Sequence, residues 1–431
     1  MEGKAIIGSL PKGISDIIEA IELRGEAAYI TGGSLRDLLL GKKPADWDLT
    51  TSMVPSKVME LFPESDDLGA KYGIVRVLCK EEGIHVEIGT LRKDGHYTDY
   101  RRPDTVEFTS DVAIDLKRRD FTVNALACTS GGEIIDPLGG IKDIKNRLIR
   151  VIGDPRERFE EDPLRILRGI RIAAQIDFDI EMKTFEAMTG TSHLLEEISI
   201  QRRREEFEKI LMADNAGKGL RMCVACDTLR WALGHYPLRT RGDNGDINVL
   251  IQNIDLAKKR LDIRMALLLT CFSQKEALTI IEELKYDNRT AKNLKAAQLA
   301  LTDLFFASDK YSLKRFIYTY GRDVYDFLND VSKSHRDVYG SSPSRIESRY
   351  YILKEIEENK EPIFVRDLVI DGEDLLKEGI GEGAQIGEIL KGLAELTHRY
   401  PGLNTRDKLL KEAKKLKKPW RAKLKSIHWL R

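Results

Sequence analysis

Near residue 150 the hydrophobic pattern of this 431-residue chain changes period. Before Val151, short alternating runs stand among helical ones. "AAYITGG" and "GIVRVLC" have the composition of strands. "GIHVEIGTLR" alternates, with His85 and Glu87 on one face and Val86 and Ile88 on the other. "GEIIDPLGG" reads as a short strand ending in a turn. After Val151 the strand signals nearly vanish, and "DPLRILRGIRIAAQ", "QRRREEFEKILM", "KEALTIIEELK", "TAKNLKAAQLALTDLF" and "IGEILKGLAEL" all carry helical spacing. The two periods imply an α+β head with a small sheet, followed by an all-helical remainder. Polar, glycine-bearing stretches at 239–246 and 339–344 are candidate loops or boundaries.

Several classes are set aside. The longest apolar run, "MALLLTCF", is far too short for a membrane span, and the N-terminus lacks the core of a signal peptide, so a cytoplasmic location is expected. Cys223 and Cys226 form a lone C-x-x-C without the second pair that a structural zinc site needs, and are expected to be buried helical thiols. The seven histidines form no H-x-x-x-H. No G-x-G-x-x-G follows the first strand, which argues against a dinucleotide-binding dehydrogenase. Seventy Lys and Arg balance seventy Asp and Glu, so net charge is silent on nucleic acid. Residues 406–431 hold eleven Lys and Arg against two acids, with Trp420 and Trp429 interleaved. Such a segment either tracks phosphates or is a solvated terminal helix.

The chemistry concentrates in "GGSLRDLLLGKKPADWDLTT". Gly32 and Gly33 end a strand and open a helix that Gly41 closes. A glycine turn at a helix N-terminus presents backbone N–H groups to phosphate, and Arg36 in the first turn adds a charged fork. In "DWDLT", read as a strand, Asp46 and Asp48 share a face and Trp47 and Leu49 turn to the core. Two carboxylates on one face repel unless a cation sits between them. Hard oxygen ligands held in this way suit Mg²⁺ beside substrate phosphates. An isolated D-x-D would equally suit a solvated surface strand, but the phosphate-binding turn just upstream favours the cation.

These residues resemble the signature of class II tRNA nucleotidyltransferases, the CCA-adding enzymes, within the polymerase-β-like superfamily that also holds bacterial poly(A) polymerases. The match continues in order through "RRDFTVNALA" (118–127), "DPLGGIKDI" (136–144), "EEDPLRILRGIRIA" (160–173) and "RRREEFEKIL" (202–211). It weakens over 212–360 and returns in "VIDGEDLLKEGIGEGAQIGEIL" and "LNTRDKLL". The resemblance implies a catalytic head at 1–147, a nucleotide-selecting neck at 148–225, a body at 226–350 and a tRNA-binding tail at 351–431. It implies that Asp46 and Asp48 are catalytic and hold Mg²⁺, that Gly33 and Arg36 seat a triphosphate, and that Arg119, Arg168 and Arg171 contact the incoming nucleotide. Asn124 would orient the ribose.

Within the fourth motif, Leu164, Leu167, Ile170 and Ala174 recur at core spacing, while Arg165, Arg168 and Arg171 form an adjacent stripe. Arginines three apart repel, so an anionic partner is expected there. Asp162 either caps this helix, with Pro163 in its first position, or reads a base. Cytosine and adenine both present an amino donor beside a ring-nitrogen acceptor, and a carboxylate with a guanidinium is the complement. In the family resembled, Asp162 and Arg165 match the pair with that role. Glu87 is either a third carboxylate, acting as metal ligand or general base, or a plain surface residue. The stretch joining the first two motifs, "RKDGHYTDYRRPDTVEFTSDVAIDLKRRDF", looks like the family's flexible loop at full length, which argues against CC-only addition. The expected activity is template-independent addition of the 3′ CCA to tRNA from CTP and ATP, with release of pyrophosphate. Addition of the terminal A alone, poly(A) synthesis and non-catalytic tRNA binding are the alternatives.

Overall fold

The computed structural model describes residues 3–69, 72–79, 83–95, 105–236, 247–334 and 343–416. The chain divides into two compact units, Met1–Pro237 and Leu238–Arg431. The expected head and neck thus fall within one unit. The candidate loop at 239–246, the tip of the family-like loop at 96–104, most of "YGSSPS" and the basic stretch 417–431 lie outside the described residues.

The first unit opens with helices α1 (Gly3–Ile7) and α2 (Lys12–Glu22) and is built around a seven-stranded sheet. Its strands are β1 (Ala28–Thr31), β2 (Trp47–Thr51), β3 (Asp66–Gly69), β4 (Ile74–Cys79), β5 (Ile84–Thr90), β8 (Ala127–Thr129) and β9 (Ile134–Ile135), in the order β3-β4-β5-β2-β1-β8-β9. Strands β6 (Arg92–Asp94) and β7 (Val106–Phe108) form a separate antiparallel hairpin. Within the large sheet β2 and β5 run parallel and the other pairings are antiparallel. The expected alternation of β5 holds: Val86 and Ile88 are buried, while His85 and Glu87 are exposed. Helix α3 (Gly32–Leu39) connects β1 to β2, and α4 (Pro55–Leu61) follows β2. α5 (Val112–Lys117) precedes the second motif, and α6 (Gly140–Asn146) follows β9.

Past residue 150 the first unit is helical: α7 (Pro155–Glu161), α8 (Leu164–Ile176), α9 (Met182–Thr191), α10 (Ile200–Leu211), α11 (Ala216–Ala225) and α12 (Thr228–Ala232). Two short strands, β10 (Leu148–Ile149) just before these helices and β11 (Asp179–Ile180) among them, pair in parallel. Leu164, Leu167, Ile170 and Ala174 are buried, as their spacing predicts. Helix α8 passes so close to the second motif that a Cβ on Gly169 would stand 2.7 Å from Phe121 Cζ and 2.6 Å from Met188 Cε. That approach requires glycine and sets α8 against the RRDF segment. Cys223 and Cys226 are buried, as expected, and burial pushes the Cys226 thiol up to about 11.

The second unit is helical throughout its described residues. α13 (Ile247–Leu256) to α16 (Asn288–Phe306) bracket α14 (Leu261–Leu269) and α15 (Gln274–Glu283). They are followed by α17 (Lys310–Tyr320), α18 (Arg322–Ser334) and α19 (Pro343–Glu358). The last three, α20 (Gly372–Lys377), α21 (Ala384–Arg399) and α22 (Arg406–Leu416), share a core built on Leu375, Ile380, Leu393 and Leu409. Among the described residues no helix is long and apolar enough to cross a membrane.

Candidate active site

The strand-to-helix turn after β1 is shaped by one residue. Gly32 has φ +65°, and a Cβ there would lie 3.0 Å from Asp48 Oδ2 and 3.3 Å from Arg119 Nη1. Glycine serves both the left-handed backbone and the gap between two charged groups. Ser34, one turn on, fastens the turn to the neighbouring strand. Its hydroxyl donates to the Thr31 carbonyl at 2.8 Å, and the Asp48 N–H donates to Ser34 Oγ at 3.3 Å.

Strand β2 begins at Trp47, one residue later than the sequence suggests. Trp47 and Leu49 turn into the core as expected, and Asp48 faces the other way, half buried. Asp46 sits exposed on the bend before the strand. The parallel register sets Asp48 opposite Glu87 on β5. Burial raises the Asp48 pKa; Arg119 opposes the rise, while Glu87 and then Asp46 add to it. Glu87 therefore bears on Asp48 more strongly than the Asp46 named with it from sequence. Asp48 makes no ion pair among the described residues. A half-buried carboxylate next to a second one, with its charge disfavoured, fits a divalent cation. No cluster of three or more His, Cys, Asp or Glu suited to a metal occurs among the described residues. A cation here would complete its shell with water and substrate oxygens, as Mg²⁺ does.

A cleft of about 460 Å³ opens in front of these groups. Gly33, Asp48, Glu87, Arg119, Asn124, Asp162, Arg165 and Arg168 all line it, so residues more than a hundred positions apart converge. Asp46, Arg36 and Arg171 do not. Arg36 is buried and committed: Nε and Nη2 donate to Asp37 Oδ1, and Nη1 donates to Asn124 Oδ1 at 2.8 Å. It braces Asn124, whose Nδ2 reaches Asp120 Oδ1 at 3.4 Å.

The arginine stripe of α8 has its anions, and they belong to the protein. Arg165 pairs with Glu161, Arg168 with Asp120 and Arg171 with Glu206, at 2.8, 2.6 and 2.7 Å. Asp120 and Arg168 stabilise each other's charged forms, which lowers the acid and raises the base. Asp162 ends α7 rather than capping α8, whose N-cap is Pro163, although Asp162 Oδ1 still accepts the Leu164 N–H at 3.2 Å. Burial raises its pKa against the pull of Arg165 and Arg202.

Arg92, Asp94, Arg118 and Asp120 also line the cleft, and sequence reading passed over them. It passed over Asp115 too, which is wholly buried and binds both Arg118 and Arg119. The available signal was spacing, since Asp115 stands three and four residues before those arginines on a helical stretch.

This geometry has known counterparts. A family model described as "Poly A polymerase head domain" matches residues 28–150, and "Probable RNA and SrmB- binding site of polymerase A" matches 177–232. A CCA-adding enzyme of Lactococcus lactis subsp. lactis is 35% identical over 405 residues, spanning 93% of this chain and 96% of the relative. The chain belongs to the CCA-adding enzyme family. Another member, from Streptococcus thermophilus, is 34% identical over 388 residues, or 88% of this chain and 90% of its own. The fold agrees with this membership. The CCA-adding enzyme of Bacillus stearothermophilus in complex with CTP superposes with a TM-score of 0.75 at 25% identity, covering 96% of this chain and 98% of that one. The Thermotoga maritima CCA-adding enzyme complexed with tRNA gives 0.67 at 22% identity, covering 96% and 98%. Nucleotidyltransferases of this family generally use divalent metal ions.

Proposed function

We propose that this chain is a template-independent tRNA nucleotidyltransferase that builds the 3′-terminal CCA from CTP and ATP and releases pyrophosphate. One observation carries the reading: the Gly32–Gly33 turn, the Asp48–Glu87 pair and the Asp162–Arg165 pair open onto a single cleft. Phosphate, cation and base each find a chemically suited wall there.

Asp48, with Asp46 and Glu87 beside it, would hold Mg²⁺. That ion would neutralise charge on the reacting phosphates and sharpen the attacking 3′-hydroxyl. The turn at Gly33 offers backbone N–H groups to the triphosphate. Arg119 and Arg168 add positive charge to the walls, while Arg36 acts from behind through Asn124. Arg171, held by Glu206 outside the cleft, supports the α8 stripe rather than the nucleotide directly.

Asp162 and Arg165 would choose the base. Arg165 is immobilised by Glu161 and by the Arg158 carbonyl, each 2.8 Å from Nη1. A carboxylate accepting from an amino group and a guanidinium donating to a ring nitrogen suit cytosine and adenine alike. Uracil and guanine turn a carbonyl toward Asp162 and leave buried groups unpaired, at about 1–3 kcal/mol per group. No nucleic-acid template is then needed. RNA would be recognised by shape and phosphate contacts, as suits an A-form acceptor arm. A protein with this substrate belongs in the cytoplasm.

The test is incorporation into tRNA lacking its last three nucleotides. CTP alone should add two residues, and CTP with ATP should complete the end. Failure to add C would leave A-only addition in place of this reading, and the same protein offered tRNA ending in CC would then accept ATP.

A further inference from the structure

Asp115 on α5 is wholly buried, yet it carries two guanidinium groups at once. Its Oδ1 accepts from Arg118 Nε at 2.9 Å, from Arg118 Nη2 at 2.6 Å and from the Arg92 backbone N–H at 3.2 Å. Its Oδ2 accepts from Arg119 Nε at 3.3 Å and Nη2 at 3.1 Å. Arg119 completes its set with the Thr31 and Thr50 hydroxyls, at 3.2 and 3.0 Å, and the Asn124 carbonyl at 3.5 Å. The pull of Asp115 is toward α5, whereas Thr50 stands two residues from Asp48 on β2, so the guanidinium is held near Asp48 without pairing with it.

That direction matters because Arg119 and Asp48 flank the same glycine. A Cβ on Gly32 would nearly touch both, yet the two charges form no ion pair. A bidentate guanidinium–carboxylate pair is among the strongest contacts a side chain can make. An Arg119 released from Asp115 would be free to pair with Asp48, whose charged form it already favours, and pairing would occupy the oxygens that a cation needs. Asp94 extends the restraint, pairing with Arg92 at 2.9 Å and with Arg118 at 3.6 Å.

We infer that Asp115 is a positioning residue of the cleft: by gripping Arg119, and Arg118 beside it, it keeps a guanidinium off Asp48 and leaves that carboxylate open to a divalent cation. The inference rests on the nucleotidyltransferase reading only for the use made of that cation. Its core is a competition among three side chains.

Binding of Mn²⁺ to the full chain, followed by the electron paramagnetic resonance signal of the free ion, tests the competition without turnover. Asp115→Asn should weaken Mn²⁺ binding by about tenfold, the scale of one charge-assisted hydrogen bond. Arg119→Gln, which removes the competing cation, should bind Mn²⁺ at least as tightly as the parent. Adding Arg119→Gln to Asp115→Asn should restore binding to within about twofold of the parent, a strongly non-additive cycle. Parent-like binding by Asp115→Asn, or a double variant no tighter than that single one, would overturn the inference. Should Asp115→Asn fail to fold, Arg119→Gln alone decides, because weaker Mn²⁺ binding by that variant contradicts the competition. Parental activity on tRNA lacking CCA is measured in parallel. Its absence with the Mn²⁺ pattern intact would remove the proposed reaction and leave the role of Asp115 standing.

Discussion

Both compact units bury charge, and they settle it differently. In Leu238–Arg431 the buried basic side chains Lys314, Arg349 and His398 each have a protein partner, although burial disfavours the charged form of all three. Lys314 is paired with Glu361, which also accepts from Lys310 at 3.0 Å. Arg349 donates to the Leu304 carbonyl at 3.1 Å, and His398 Nε2 meets the Ile363 carbonyl at 2.7 Å. In Met1–Pro237 most buried acids are matched in the same way, Asp115, Asp120 and Glu206 among them, and their pKa values fall. Asp48 and Asp162, both half-buried, depart from this pattern. Among the described carboxylates with a shifted pKa, these two alone are pushed upward, each by burial first. They sit in one cleft, at the proposed cation wall and the proposed base wall. A carboxylate in a cleft whose charge burial disfavours is a candidate for a ligand, whereas one matched by its neighbours serves the fold.

The contrast can be broken most directly at its strongest point. Asp48→Ala, and Asp46→Ala with it, should abolish nucleotide incorporation, by about a thousandfold or more, while leaving tRNA affinity in place. Filter binding of tRNA beside an incorporation assay checks both halves, and retained turnover would remove these residues from the site.

Next in size is the matched pair of the second unit. Lys314→Met leaves Glu361 to the partly exposed Lys310 and should cost about 2–3 kcal/mol in a denaturant melt, with kcat at permissive temperature unchanged. Lys314→Met combined with Glu361→Leu should recover most of that stability. A loss of catalysis at full folding would mean that the second unit's buried charge is not merely structural.

Asp162→Asn sharpens the comparison at the base wall. An amide can turn a donor toward a carbonyl, so discrimination against UTP should fall by about 1–3 kcal/mol, roughly tenfold to a hundredfold in relative kcat/KM. Unaltered selection would place base reading elsewhere. The smallest effect belongs to the C-x-x-C. With burial holding the Cys226 thiol at about 11, little thiolate exists at pH 8, and labelling of the native protein there should be far slower than after denaturation. Labelling that is fast and blocked by zinc would turn this pair into a metal site.

Much of this protein was determined by its sequence alone. The change of period near Val151 separates sheet from helices, because the two side-chain periodicities are incompatible within one element. The glycine turn with Asp48 names one wall of the cleft, because local backbone geometry fixes where near neighbours point, and the resemblance names the Asp162–Arg165 wall, whereas Asp46 falls outside both the strand and the cleft. Only the tertiary structure decided the partnerships. The sheet register put Glu87 beside Asp48, and the close approach at Gly169 set α8 against the RRDF segment. Packing also turned the arginine stripe toward Glu161, Asp120 and Glu206, took Arg36 and Arg171 out of the cleft, and made Asp115 a clamp. Charge acts through space over a few ångströms, so which carboxylate answers which arginine is set when distant segments meet and cannot be read along the chain.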